Sequence, residues 1–143
     1  MKLNIIDSKD REITGYNNIN LLSKTYVSQI SEIMDYSCEE IIISECVNTL
    51  AEKEFRELLP LLCSKLSSSN GSINISTYDI EYLCTLANKT QHLNAILPKI
   101  NSCITAGELI NMLKVYSIHI LSLSSSGGLL NIVGTKVIHE TDE

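Results

Sequence analysis

The chain has 143 residues, enough for about one domain, and 11 basic against 17 acidic residues give it a formal net charge of −6. With 44% apolar and 20% charged residues it can bury a core, and one Phe, no Trp and six Tyr make that core aliphatic. No Lys/Arg cluster exceeds a pair, so there is no footprint for phosphate neutralisation and no nucleic-acid partner is expected.

The segment Lys2-Leu3-Asn4-Ile5-Ile6 is a short apolar run stopped by the polar cluster Asp7-Ser8-Lys9-Asp10-Arg11, which predicts a strand ending in a loop. The run breaks at Asp7, too early for a secretion signal. No stretch approaches the roughly eighteen uninterrupted apolar residues of a membrane span, so no membrane partner is expected. After Gly15, residues 16–21 read as a weaker second strand. The gap between the two is too short for an ordinary crossover helix, so parallel neighbours need a loop or a single turn to join them. Residues 23–38 stay open between a short strand and a helix, for which Val27, Ile30, Ile33 and Met34 have the spacing.

Glu40-Ile41-Ile42-Ile43-Ser44 is the clearest strand, and its three consecutive β-branched residues predict a sheet covered on both faces. A helix follows, with Phe55, Leu58, Leu59, Leu62, Cys63 and Leu66 on one apolar stripe. Pro60 lies inside that stripe and predicts a kink or a restart. The alternation of residues 72–76 gives the next strand. Residues 78–88 carry Ile80, Leu83, Cys84 and Ala87 at helical spacing, with Thr77 or Asp79 as cap. Two more helical pieces follow, at 92–100 (shortened by Pro98) and at about 105–116 with Leu109, Ile110, Met112 and Leu113 on its apolar side. Residues 118–123 and 129–138 flank a Ser/Gly turn at 124–128 and read as a hairpin, with residues 139–143 as a solvated tail. Alternating strands and helices imply one α/β domain over residues 1–138: a three-layer sandwich, mostly parallel, closed by an antiparallel hairpin.

Cys38, Cys46, Cys63, Cys84 and Cys103 are odd in number and contain no Cys-x-x-Cys pair, which predicts reduced thiols, mostly in the core. His92, His119 and His139 are scattered and give no support for a metal site, and His119 is expected on the exposed face of the hairpin. Asp7, after the first strand, is either a ligand at the sheet's carboxyl edge or a turn carboxylate. Glu45 is either an acid/base or a residue that caps the next helix or faces solvent. Cys46 is a nucleophile only if a partner exists, and otherwise a buried thiol. Lys9-Asp10-Arg11-Glu12 reads as a solvated mixed-charge loop, and Ser126-Gly127-Gly128 as a hairpin turn rather than a phosphate loop.

Met1-Lys2-Leu3-Asn4-Ile5, followed by Gly15-Tyr16-Asn17-Asn18-Ile19-Asn20-Leu21, resembles the opening of short class I S-adenosylmethionine-dependent methyltransferases of phages and bacteria. Those begin Lys-Leu-Asn-Leu-Gly-x-Gly and reach Gly-Tyr-x-Asn-x-Asp-Leu within about a dozen residues. Ile41 to Leu50 is similar to the family's Ile-x-x-Ser-x-Val-Leu-Glu-His, Leu66 to Ile75 to its Leu-Lys-Pro-Gly-Gly-x-Leu-x-Ile, and Tyr78-Asp79-Ile80 to the Pro-Asp-Leu that follows. The hairpin resembles the family's antiparallel strands six and seven.

The resemblance implies a vestigial cofactor pocket. Where the family has glycines, this chain has Ile6 and Ser8 around Asp7, and an Ile is bulky and stiff where the adenosyl group needs room. Where a carboxylate grips the ribose hydroxyls, it has Asn20. Where the family has Glu-His it has Asn48-Thr49, with Glu45 and Cys46 just before. The implied function is a catalytically degenerate methyltransferase-like scaffold or interaction module with no cofactor expected. The alternative is an active enzyme that uses S-adenosylmethionine through an atypical loop. The expected partner is a protein, self or other, met through the surface or a sheet edge, and the expected compartment is the cytoplasm, the host's for a phage-encoded chain.

Overall fold

The computed structural model describes residues 1–85 and 104–137. Six strands, β1 (Lys2–Ile6), β2 (Asn17–Asn20), β3 (Glu40–Ser44), β4 (Ser72–Tyr78), β5 (Ile118–Ser126) and β6 (Leu129–Lys136), form one sheet in the order β2-β1-β3-β4-β6-β5. The first four are mutually parallel, and β6 runs antiparallel to both its neighbours. The helices among the described residues are α1 (Tyr26–Ser31), α2 (Glu52–Lys65), α3 (Ile80–Thr85) and α4 (Ala106–Val115). None among the described residues is long and apolar enough to cross a membrane. A mostly parallel sheet with a terminal antiparallel pair is the expected architecture.

The link from β1 to β2 is made by residues 7–16, which contain a single 3-10 turn at Lys9–Arg11, as the short spacing requires. In the ambiguous stretch 23–38 the chain forms α1. Only Ile30 of that helix is buried; Ile33 is buried just beyond its end, while Val27 and Met34 face solvent.

Burial alternates along β3 and β4, while β1 is buried on both faces from Leu3 to Ile6. Leu3, Ile5, Ile41, Ile43, Ile73 and Ile75 share one buried cluster with Ile30 of α1, Phe55, Leu58, Leu59 and Leu62 of α2, and Leu109 and Leu113 of α4. Ile42 falls on the opposite face and is only half-buried, beside Asn74 in register. The β-branched run of β3 therefore does not require two apolar layers: α1, α2 and α4 all cover the same face. At β1 and β2 the other face is covered by residues 7–16, held by a polar clamp. Asn4, fully buried, donates through Nδ2 to Arg11 O and Asn18 Oδ1 (both 2.9 Å), and its Oδ1 accepts from Ser44 Oγ at 3.2 Å. Asn18, its register partner, receives the Ile13 N–H at 3.0 Å and donates to the Ile13 and Tyr16 carbonyls, both at 3.1 Å.

Helix α2 runs through Pro60 as one element, neither restarting nor ending there. The ring removes the hydrogen bond to the carbonyl four residues earlier, a penalty of roughly 3 kcal/mol relative to Ala. The buried stripe on either side (Leu58, Leu59, Leu62 and Cys63) offsets it. Pro60→Ala should therefore raise stability, by about 1–3 kcal/mol once the greater freedom of the unfolded chain is discounted. A denaturant midpoint that falls in the variant would show that the ring is required.

Strand β4 continues to Tyr78, two residues past the expected end, because Thr77 is drawn into the interior, where its hydroxyl donates to Asn48 Oδ1 at 2.8 Å. Asp79 supplies the cap of α3, accepting from Tyr82 N at 3.1 Å. Helix α4 opens with a capping box: Thr105 Oγ1 accepts from Glu108 N (3.2 Å) and Glu108 Oε1 from Thr105 N (3.1 Å). The hairpin turn is Gly127-Gly128, whose φ of 62° and 88° favours glycine, and Ser124–Ser126 belong to β5 rather than to the turn. His119 is exposed, and Cys38, Cys46 and Cys63 are buried and unpaired with one another. The side chains of Leu83 and Cys84, then Ala87, the piece at 92–100 with Pro98, Cys103 and the tail at 139–143 lie outside the described residues.

Candidate functional site

Strand connections leave β1 in one direction, toward β2, and β3 in the other, toward β4. In open parallel sheets the crevice at the carboxyl ends of two such strands is the usual place for a ligand. A cleft of about 480 Å³ lies at the carboxyl ends of β1, β3 and β4, lined by Asp7, Ser8, Asp10, Arg11, Glu45, Thr49 and Tyr78. Of the positions singled out from sequence, Asp7, Ser8 and Glu45 come together here. Ile6 and Asn20 do not line the cleft.

Ile6 ends β1 on the same side as Asn4, and is buried there outside the main apolar cluster. Asn20 turns its carboxamide back on its own loop, with Oδ1 accepting from Leu22 N at 2.9 Å. Asp7 is not a turn carboxylate: its Oδ2 accepts from Thr49 Oγ1 at 2.6 Å, tying the tip of β1 to the segment after β3. Ser8 supplies the turn chemistry instead, capping Lys9–Arg11 through the Asp10 N–H at 3.3 Å. Asn48 and Thr49, in place of the family's Glu-His, are bonded to Thr77 and Asp7.

Glu45 neither caps α2, which begins seven residues later, nor faces bulk solvent alone. It pairs with Arg11 at 2.8 Å, and Arg11 Nη1 also donates to Ser44 O at 3.4 Å. The Lys9–Glu12 cluster is thus not a freely solvated loop: its arginine spans the cleft from β1 to β3. Glu45 has a φ of 52°, the left-handed region, which costs a non-glycine residue about 1–2 kcal/mol and sharply reverses the chain after β3. Burial works against the Arg11 charge, but the hydrogen bond and field of Glu45 outweigh it and hold the guanidinium above its ordinary pKa. Burial, then the charge of Glu45, pushes the Tyr78 phenol up, so it stays a hydrogen-bond donor at neutral pH.

Cys46 is the buried thiol of the two readings. It is fully enclosed with Sγ 3.3 Å from Ile5 O, and desolvation, then the charge of Asp7, pushes its pKa up and away from a nucleophilic thiolate. Among the described residues no histidine lines the cleft, and no group of three or more His, Cys, Asp or Glu is placed to hold a metal ion. Thr49, read through the resemblance as a replaced pocket position, does line the cleft, whereas sequence reasoning missed Arg11 and Tyr78. The mixed-charge cluster beside a strand tip was the signal for Arg11; Tyr78 carries none until the strands are assembled.

No protein-family model and no curated protein matches the chain. Solved structures do. A SAM-dependent methyltransferase from Archaeoglobus fulgidus matches with a TM-score of 0.66 at 16% identity, over 92% of this chain and 74% of that one. An S-adenosylmethionine-dependent methyltransferase from Mesorhizobium loti matches with 0.65 at 10% identity, over 94% and 90%. An O-methyltransferase family protein from Burkholderia thailandensis matches with 0.60 at 14% identity over 87% of this chain, which spans only 36% of that protein. With the sheet order and the antiparallel terminal pair, these likenesses give the chain the class I methyltransferase fold.

Proposed function

We propose that this domain keeps the methyltransferase fold but not its cofactor, and acts as a scaffold or interaction module. The observation that carries this reading is the Arg11–Glu45 ion pair, which spans the cleft where the fold binds S-adenosylmethionine. The positions that the resemblance assigns to the cofactor are altered. Ser8, on the cleft wall, stands where a glycine lets the backbone approach the ligand, whereas Ile6 is buried outside the cleft and does not fill it. Asn20 offers one acceptor oxygen in place of a carboxylate, and that oxygen is engaged with Leu22 N. A charge-assisted hydrogen bond contributes about 1.5–3 kcal/mol, against roughly 8 kcal/mol for a whole micromolar site. The absence of a ribose-binding carboxylate therefore removes a substantial fraction.

A second reading, an active methyltransferase with an atypical loop, is favoured by the volume of the cleft, which lies within the range of small-molecule sites. Isothermal titration with S-adenosylmethionine and with its demethylated product separates the two. The module reading expects no binding tighter than about 1 mM. Micromolar binding of either, with thermal stabilisation of about 2.7 kcal/mol at a hundredfold excess over Kd, overturns it.

A further inference from the structure

We infer that the groove between α1 and α2 docks a protein segment in which an aliphatic side chain is flanked by arginine. The groove has a volume of about 260 Å³ and is walled by Tyr26 and Val27 of α1 and by Leu58 and Leu61 of α2, with Glu54 and Glu57 beside them. Helix α1 is six residues long and buries Ile30 alone, so it covers α2 incompletely. Val27 is 51% exposed, and Tyr26 and Leu61 are half-buried. The volume lies below the roughly 300–1,000 Å³ of sites for drug-sized ligands, and it suits a single aliphatic side chain.

The charge around the groove selects the occupant. Glu54 and Glu57 stand three residues apart on one face of α2, about 4.5 Å along its axis. Both are exposed, and among the described residues neither has a cation within ion-pair distance. Glu54 Oε1 accepts from Ala51 N at 3.3 Å, which leaves its second oxygen open. Burial, then the charges of Glu54 and Glu57, pushes the Tyr26 phenol up, so both carboxylates act on the groove wall. Two carboxylates over an apolar floor repel nucleic-acid phosphates and anionic lipid headgroups, and attract a cation carried beside an apolar group. A guanidinium suits them better than an ammonium, because its planar fork reaches two acceptors and stacks on an aromatic ring such as that of Tyr26. A second copy of this chain does not supply one: its two arginines, Arg11 and Arg56, are paired with Glu45 and with Glu52 and Glu108. The occupant is therefore a basic segment of another protein, and so small a contact predicts a Kd on the order of 0.1–1 mM. The groove shares no residue with the cleft, so this docking holds whether or not the cleft takes a ligand.

Nuclear magnetic resonance titration of the isotope-labelled full chain with an end-blocked peptide, Ala-Arg-Leu-Ala-Arg-Leu-Ala, tests it. The expected result is saturable shifts of the Tyr26, Val27 and Leu61 amides, and none when glutamate replaces both arginines of the peptide. Glu57→Gln should weaken binding about threefold or more at an unchanged melting temperature. Glu12→Gln, the same change of charge at an exposed loop residue, should leave it intact. Val27→Ser, which removes part of the apolar wall without touching a charge, should also weaken it. The absence of shifts at millimolar peptide, shifts scattered over the acidic surface, or equal losses in Glu57→Gln and Glu12→Gln would overturn the inference. So would N-ethylguanidinium binding as tightly as the peptide, which assigns the groove to a small cation, or shifts of the same amides when the chain alone is concentrated, which assign it to a second copy.

Discussion

Replacing Phe55 with Ala is expected to lower stability by about 3–5 kcal/mol, a fall in melting temperature of roughly 10–15 °C for a domain of this size. Phe55 is the only phenylalanine in the chain, sits in the first turn of α2 and is fully enclosed in the cluster that joins the sheet to three helices. Its neighbours in that cluster are aliphatic, many of them Ile, whose χ1 rotamers are stiff and cannot swing to fill the space. The loss therefore combines the transfer free energy of the ring with the cavity it leaves. Urea unfolding of the two proteins measures it. A loss below about 1 kcal/mol would mean that the site collapses freely, contrary to a close-packed core.

Asn4→Leu is the second large effect, and it bears on the site. The substitution keeps the branched shape of the side chain, with somewhat bulkier methyl groups, but removes the donor to Arg11 O and Asn18 Oδ1 and the acceptor of the Ser44 hydroxyl. A buried polar group left without a partner costs about 1–3 kcal/mol, and more than one is stranded here, so a loss of roughly 2–4 kcal/mol is expected. The substitution also frees the segment that carries Arg11 into the cleft. Hydrogen exchange should accelerate at residues 9–16 more than in β3 or β4. Uniform acceleration across the sheet would make Asn4 a core residue like any other, not a clamp on the β1–β2 link.

Local patterns suffice where the structure is locally determined. The bounds of β1 and β3 follow from apolar runs stopped by polar clusters, and the terminal hairpin from two strands around a Gly-Gly pair. The carboxyl-edge position of Asp7, Ser8 and Glu45 follows from where those strands end. What stays hidden is non-local. Arg11 reads as a solvated charge because its partner lies 34 positions away and is brought to it by a left-handed turn at Glu45. Ile42 reads as doubly covered because a run of β-branched residues does not reveal that α1, α2 and α4 share one face. Thr77 passes for a helix cap until Asn48 is placed beside it. The fold is thus carried by short-range signals, and the cleft by contacts between strand tips that no spacing rule encodes.

The enclosed cysteines have a practical consequence. Burial pushes the Cys63 thiol up to about 12, and moves Cys38 and Cys46 in the same direction. An alkylating reagent at neutral pH therefore finds no thiolate at these three positions while the domain is closed, and modifies each as the region around it opens. The rates of alkylation just before β3, just after it and in α2 give the molecule three internal clocks for its own local unfolding.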